Sequence, residues 1–326
     1  MKKFDIISIG SSMKDVFILN KDLKYSVKAD DPFDPKVIGD KIGVKDIYFD
    51  IGGGGSNSAA TFSNMGLKTG LISSIGDDLA GKEILKVMKK FKVDTSLIEI
   101  NKQEETGYSV IFIDKSGDRT ALSFRGAADF TKTKKIKQTK LNSNWFFITS
   151  LNGNLTLLKQ IFAIAARKGI KIAWNPGNAE LNNSTTKLKP FFKQVEIIFL
   201  NFKEAQSLTN YKNKNIKNIF NKLTLLAPKT LWCITGGKRG AWVQERKNIY
   251  WAKILDKKVV NATGAGDAFG SGFISGMILY NNDLKQALQL GMLNSNSVVT
   301  EMGAKHGLLK KPPTKKMLAK IKITEL

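Results

Sequence analysis

Within residues 145–235 four short apolar runs recur: Trp145-Phe146-Phe147-Ile148-Thr149, Ile170-Lys171-Ile172-Ala173-Trp174, Glu196-Ile197-Ile198-Phe199-Leu200 and Thr230-Leu231-Trp232-Cys233-Ile234-Thr235. Stretches of helical character at 154–168, 202–209 and 214–226 separate them. A strand with one wet face alternates polar and apolar residues, whereas one covered on both faces is apolar almost throughout. The pattern therefore predicts an α/β architecture, a doubly wound, mostly parallel sheet with helices on both faces. Outward from this stretch, residues 4–10 read as a first strand closed by Gly10-Ser11-Ser12, 56–65 as a helix and 69–75 as a strand. Asp77-Asp78 opens a helix through Phe91, with Leu79, Ile84, Leu85, Val87 and Met88 near a 3.6-residue period. A hairpin at 241–244 and 249–254 precedes a helix at 267–280. Residues 16–50 are polar, with Pro32, Pro35, Gly39 and Gly43 before a short strand at 46–50, and 108–113 with 120–124 form a hairpin around Lys115-Ser116-Gly117-Asp118. These are read as a small β excursion, about 16–51 and 105–128, on one domain spanning 1–326.

Composition removes several kinds of chemistry. The chain has 326 residues with a single histidine, His306, and a single cysteine, Cys233. Zinc clusters, dithiol redox centres and disulfide frameworks each need more of these residues than that. The formal charge is +24, with 52 Lys and Arg against 28 Asp and Glu. The excess lies mainly in residues 164–326, where only nine acids occur (Glu180, Glu196, Glu204, Glu245, Asp256, Asp267, Asp283, Glu301, Glu325). Just five basic residues are arginine, the residue whose planar fork reads bases and phosphates. The charge is thus read as solvated surface lysine with a field that favours a phosphate-bearing ligand, and no specific nucleic-acid partner is expected. The longest apolar run, 268–280, is too short and too rich in Gly and Ser to span a bilayer, and a cytoplasmic protein with no membrane partner is expected.

The strongest local signal is Asn261-Ala262-Thr263-Gly264-Ala265-Gly266-Asp267-Ala268-Phe269, a glycine-rich turn opening directly into a helix. Unpaired amides at a helix start form an anion pocket, and glycine lets a ligand approach them. Asp267 is either a helix-capping aspartate or a general base beside a developing oxyanion. Ala268, Gly272 and Gly276, four residues apart, leave one helix face bare, which suggests close packing against the sheet. There is no GxxxxGK[ST] phosphate loop, and the spacing after Gly266 does not fit a dinucleotide fingerprint. A second glycine run, Ile51-Gly52-Gly53-Gly54-Gly55-Ser56-Asn57, also enters a helix.

The two glycine signatures together resemble those of the PfkB-type carbohydrate kinases, the ribokinase family, over about residues 4–307. Four further features are similar in order: Gly10-Ser11-Ser12-Met13-Lys14-Asp15, Asn175-Pro176-Gly177, Asn201-Phe202-Lys203-Glu204 and Thr235-Gly236-Gly237-Lys238-Arg239-Gly240. The resemblance implies a ribokinase-like fold with a β-sheet lid and an ATP- and Mg²⁺-dependent transfer of a phosphoryl group to a primary hydroxyl of a small ribose- or fructose-like sugar. A nucleoside kinase of the same fold, or a catalytically silent nucleotide-binding regulator, are the alternatives. It implies that Asp15, Gly53, Gly54 and Asn57 hold the substrate, with Asn152 a candidate where some members use an acid; Arg125, at the end of the lid, is read as either a substrate contact or a surface arginine. Asp267 would be the base over an anion hole of Gly264, Ala265 and Gly266 amides. Asn201, Thr235, Gly237, Gly240 and Asn294 would serve the nucleotide, and Glu204 would serve Mg²⁺ through water. Read alone, Asp15 is as well a loop aspartate, while Glu204 and Asn57 are more simply a first-turn glutamate and a cap or turn residue. Asn261 stands where members usually have aspartate beside a monovalent cation, so a K⁺ site is left open, and Gly54 stands where ribokinases often have lysine. The lid also offers an edge for a homodimer.

Overall fold

The computed structural model describes residues 3–19, 41, 43–113, 119–130 and 141–326. The predicted turn at 115–118 and residues 20–40 of the polar stretch lie outside the described residues.

The chain begins with strands β1 (Phe4–Ile9), β2 (Met13–Leu19) and β3 (Asp46–Gly52), then helix α1 (Gly54–Asn64). Next come β4 (Thr69–Ile72), β5 (Ser74–Gly76), α2 (Leu79–Lys90), β6 (Glu99–Asn101), β7 (Gly107–Ile113) and β8 (Arg119–Phe124). The central alternation is β9 (Ser143–Ile148), α3 (Leu155–Lys168), β10 (Lys171–Trp174), α4 (Asn178–Leu181), α5 (Thr185–Phe192), β11 (Ile197–Asn201), α6 (Phe202–Thr209), α7 (Ile216–Leu226) and β12 (Leu231–Thr235). The chain closes with β13 (Ala241–Glu245), β14 (Asn248–Ala252), α8 (Ala265–Leu279), α9 (Leu284–Val298), α10 (Lys315–Leu318) and β15 (Ile323–Glu325).

A nine-stranded sheet runs in the order β15-β14-β13-β12-β11-β10-β9-β1-β4. The six strands from β12 to β4 are parallel, and β13, β14 and β15 join antiparallel. The continuous apolar strands are explained by burial on both sides. Ile7, Phe146, Ile172, Ile198 and Trp232 pack on one face with Leu158 and Phe162 of α3 and Phe220 of α7. Their neighbours Ile6, Trp145, Phe147, Ala173, Ile197 and Cys233 pack on the other with Phe62 of α1 and Phe269 and Phe273 of α8.

A four-stranded sheet, β3-β2-β7-β8, forms the lid-like excursion. Strand β2 extends it further toward the N-terminus than the polar reading of 16–50 placed it. Its register sets one side chain row, Asp50, Asp15, Ser109 and Ser123, toward the central sheet and the next row, Phe49, Val16, Val110 and Leu122, outward.

The bare face of α8 packs differently from the sequence expectation. A Cβ on Gly276 would lie 2.5 Å from Ala287 Cα, and one on Gly272 3.1 Å from Gly291 Cα, both in α9. The small residues therefore seat a second helix, while Phe269 and Phe273 take the sheet side, where they pack against Phe199. Helix α9 is buried nearly all round and carries Asn294 and Asn296 in its interior.

Candidate active site

In a parallel sheet the crevice outside the carboxyl ends of the strands collects loops from every strand. Here Ser11 after β1, Thr149 and Ser150 after β9, Asn175-Pro176-Gly177 after β10 and Glu204 after β11 line one cleft of about 570 Å³. The lid closes its far wall with Met13, Asp15, Ser109, Ile111, Ala121, Ser123 and Arg125. Gly53, Gly54 and Asn57 enter from the start of α1, and Thr263, Gly264 and Asp267 from the start of α8. A second, mostly apolar pocket of about 260 Å³ lies on the other side of that helix start, lined by Thr235, Gly237, Gly240, Leu255, Ala265, Gly266 and Phe269 among others. The turn at 262–267 thus separates a polar cleft from an apolar pocket.

Asp15 is 4% exposed. A Cβ on Gly52 would fall 1.8 Å from Asp15 Oδ2, so the first glycine of the run makes room for this carboxylate. Burial, first, raises the Asp15 pKa to about 6; the Lys305 ammonium opposes this, Asp50 and Asp267 add to it, and a Ser109 hydrogen bond lowers it. Asn57 donates through Nδ2 to Asp267 Oδ2 at 2.9 Å, tying the two glycine signatures together across 210 residues.

Gly264 caps α8 with φ 78°. Its Cβ position lies 2.7 Å from Ala304 Cβ, so this left-handed turn tolerates no side chain. The Gly266 position opens into empty space. The Ala265 amide donates to the Ala262 carbonyl at 3.3 Å, so among the three amides of the expected anion hole this one already has an acceptor.

Other expected residues do structural work. Asn201 caps α6: its Oδ1 accepts from the Glu204 amide at 2.9 Å, and Glu204 Oε2 accepts from the Asn201 amide at 2.7 Å. Glu204 lines the cleft, and burial raises its pKa. Asn152 turns away from the cleft and donates to Asp129 Oδ1 at 2.9 Å. Asn294 is wholly buried, donating to Thr61 Oγ1 and the Ala268 carbonyl and accepting from the Leu309 amide. It fastens α9 to α1 and α8 and borders neither pocket.

Asn261, 1% exposed, accepts through Oδ1 from both the amide and the hydroxyl of Thr263, at 2.9 and 2.8 Å. Those two donors fix which end of the amide faces them, and leave Nδ2 buried without an acceptor. A buried N–H donor is a poor cation ligand, and the residues present do not fit a monovalent cation at Asn261.

Two residues of the site gave no sequence signal. Glu180, 1% exposed, accepts from Ser150 Oγ, the Leu151 and Gly153 amides and the Gly177 amide, and so ties together the loops after β9 and β10. Lys305, 4% exposed, donates to the Ile51 carbonyl and to Asn57 Oδ1. No local pattern announces either, because each acts through residues far away in sequence.

A match to the pfkB family carbohydrate kinase domain spans residues 9–311. A ribokinase of Staphylococcus aureus is 28% identical over 261 residues, covering 78% of this chain and 83% of that protein. The structure of Arabidopsis thaliana ribokinase complexed with ribose and ATP superposes with a TM-score of 0.78 at 17% identity, covering 98% of each chain. That of a Burkholderia thailandensis nucleoside kinase in complex with inosine gives 0.74 at 16% identity, covering 96% of each. Among the described residues no helix is long and apolar enough to cross a membrane.

Proposed function

The chain belongs to the pfkB family of carbohydrate kinases, a phosphotransferase family with alcohol acceptors, and we propose that it transfers the γ-phosphoryl group of ATP to a primary hydroxyl of a ribose-like sugar. The observation that carries the reading is the position of Asp267, in the first turn of α8, lining the polar cleft beside an apolar pocket. Phosphoryl transfer asks mainly for alignment and charge neutralisation, which this arrangement supplies without histidine or thiol.

Asp15 and Asn57, with the backbone at Gly53 and Gly54, bind the sugar hydroxyls. Asp267 accepts the proton of the attacking hydroxyl, and Asn57 holds its second oxygen in place. The start of α8 carries the positive end of the helix dipole toward the transferring phosphoryl group, with the Gly264 and Gly266 amides as donors. Thr235, Gly237 and Gly240 line the nucleotide side. Mg²⁺ keeps most of its waters and takes one or two carboxylates with substrate phosphates. Glu204, which lines the cleft, fits that role through water, and the ion would neutralise phosphate charge. No K⁺ requirement is expected.

A nucleoside acceptor is the second reading, favoured by the apolar Met13, Ile111 and Ala121 on the lid wall of the cleft. The outer lid face supports a homodimer: Phe49 and Leu122 lie exposed in one cross-strand row with Val16 and Val110, next to exposed Ile47. A coupled ADP-release assay over ribose, fructose, their phosphates, adenosine and inosine tests the proposal. Turnover confined to free sugars supports the first reading, turnover of adenosine or inosine the second, and turnover of none overturns both.

A further inference from the structure

Lys305 follows α9 in the chain and buries its ammonium behind the cleft wall rather than in it, since Asn57 lines the cleft and Lys305 does not. An amide has one accepting end and one donating end. With Lys305 Nζ on Asn57 Oδ1 at 2.5 Å, the Nδ2 end must face Asp267, as it does at 2.9 Å. Without a cation on Oδ1, the Asp267 carboxylate alone would hold the amide in this sense, with nothing fixing its other end.

The charges around Lys305 come from three elements. Asp15 of β2, Asp50 of β3 and Asp267 of α8 all act on it. Asp50 is held in turn by the Ala304 amide through Oδ2 at 3.1 Å, and its Oδ1 lies 3.8 Å from His306 Nε2. Three carboxylates thus share one buried ammonium. Burying a lysine is costly unless it is hydrogen-bonded and its charge is compensated, and here the attraction comes first from Asp50 and then from Asp15 and Asp267, the two carboxylates to which the acceptor site assigns work.

We propose that Lys305 is a positioning residue of the acceptor site, fixing Asn57 as the donor to Asp267 and supplying the charge that lets Asp15 and Asp267 stand together as carboxylates. This rests on the reading of Asp267 as base. Coulombic attraction from Lys305 is the larger of the two influences that restrain the rise of the Asp15 pKa, ahead of the Ser109 hydrogen bond, so losing the ammonium moves that carboxyl further up.

The test compares wild type with Lys305→Met and Lys305→Gln in two ways. The first is the pH profile of kcat/KM from pH 5.5 to 9 with whichever of ribose, adenosine and inosine the wild type phosphorylates. The second is a carbon-13 titration of the Asp15 carboxyl, which needs no acceptor. The proposal expects kcat/KM of Lys305→Met at pH 7 to fall at least about tenfold. It expects the acid limb to move at least about one pH unit upward, activity to recover toward pH 9, and the Asp15 midpoint to move in the same direction. Lys305→Gln keeps a donor for Asn57 without charge, so its acid limb moves equally while its plateau at high pH stays nearer wild type. An acid limb and an Asp15 midpoint unmoved in both variants overturn the proposal, whatever happens to the melting temperature. Should wild type phosphorylate none of these three, fructose and the sugar phosphates decide the kinase reading separately, and Lys305 stands or falls on the carboxyl titration.

Discussion

Replacing Asp15 by asparagine should make the protein more stable while removing most of its activity. Asp15 is buried in the lid strand β2, and burial holds its pKa at about 6 against a reference of 3.8. The sign follows from proton linkage. Between those two values the folded state binds the proton that the unfolded state has released, so stability falls as pH rises through the window. Above pH 6 the whole cost is present. At about 1.4 kcal/mol per pH unit it comes to about 3 kcal/mol. Asparagine has nearly the same shape and keeps an oxygen for Ser109, yet carries no charge to bury. Urea unfolding of wild type and Asp15→Asn at pH 4, 5, 6, 7 and 8 measures the difference. The variant should be more stable by about 1 to 3 kcal/mol at pH 8, with the gap closing toward pH 4, and its kcat/KM should drop by at least about 100-fold. A variant of equal or lower stability at pH 8, or a gap independent of pH, would refute the reasoning. A functional carboxylate kept at a cost in stability is the usual trade at an active site.

Glu180→Ala leaves four donors of the loops after β9 and β10 without their acceptor, and thermal or urea unfolding should show a loss of about 3 kcal/mol or more. Gly276→Val places methyl groups where Ala287 Cα already lies 2.5 Å from a Cβ, and should cost about 2 kcal/mol or prevent soluble expression. If the outer lid face joins two copies, light scattering should find wild type as a dimer and the Phe49→Lys, Leu122→Lys variant, with charge on that face, as a monomer; a monomeric wild type would remove the proposed dimer.

The sheet was legible because its strands are buried on both faces, so their apolar runs need no tertiary information to be seen. The two glycine signatures were legible for a similar reason, since close backbone approach demands glycine locally. What sequence hid is what depends on partners distant along the chain. Helix α9 carries asparagines in its interior because Asn294 bonds Thr61, Ala268 and Leu309, and no periodicity shows that. The bare stripe of α8 was visible, but whether sheet or helix would fill it depended on α9. Asn152 and Asp129 pair with each other rather than reaching the cleft. Lys305 reads as one more lysine in a lysine-rich chain until the fold sets it against Asn57.

The account turns on Asp267 as the base at the start of α8. Transfer of labelled phosphate from γ-³²P-ATP to ribose in a single turnover, by wild type and Asp267→Asn, tests it most directly, with a nucleotide-binding measurement on both. The account predicts transfer slowed by at least about 1,000-fold in the variant, with ATP affinity within a few-fold of wild type. Equal transfer rates in the two proteins would contradict it.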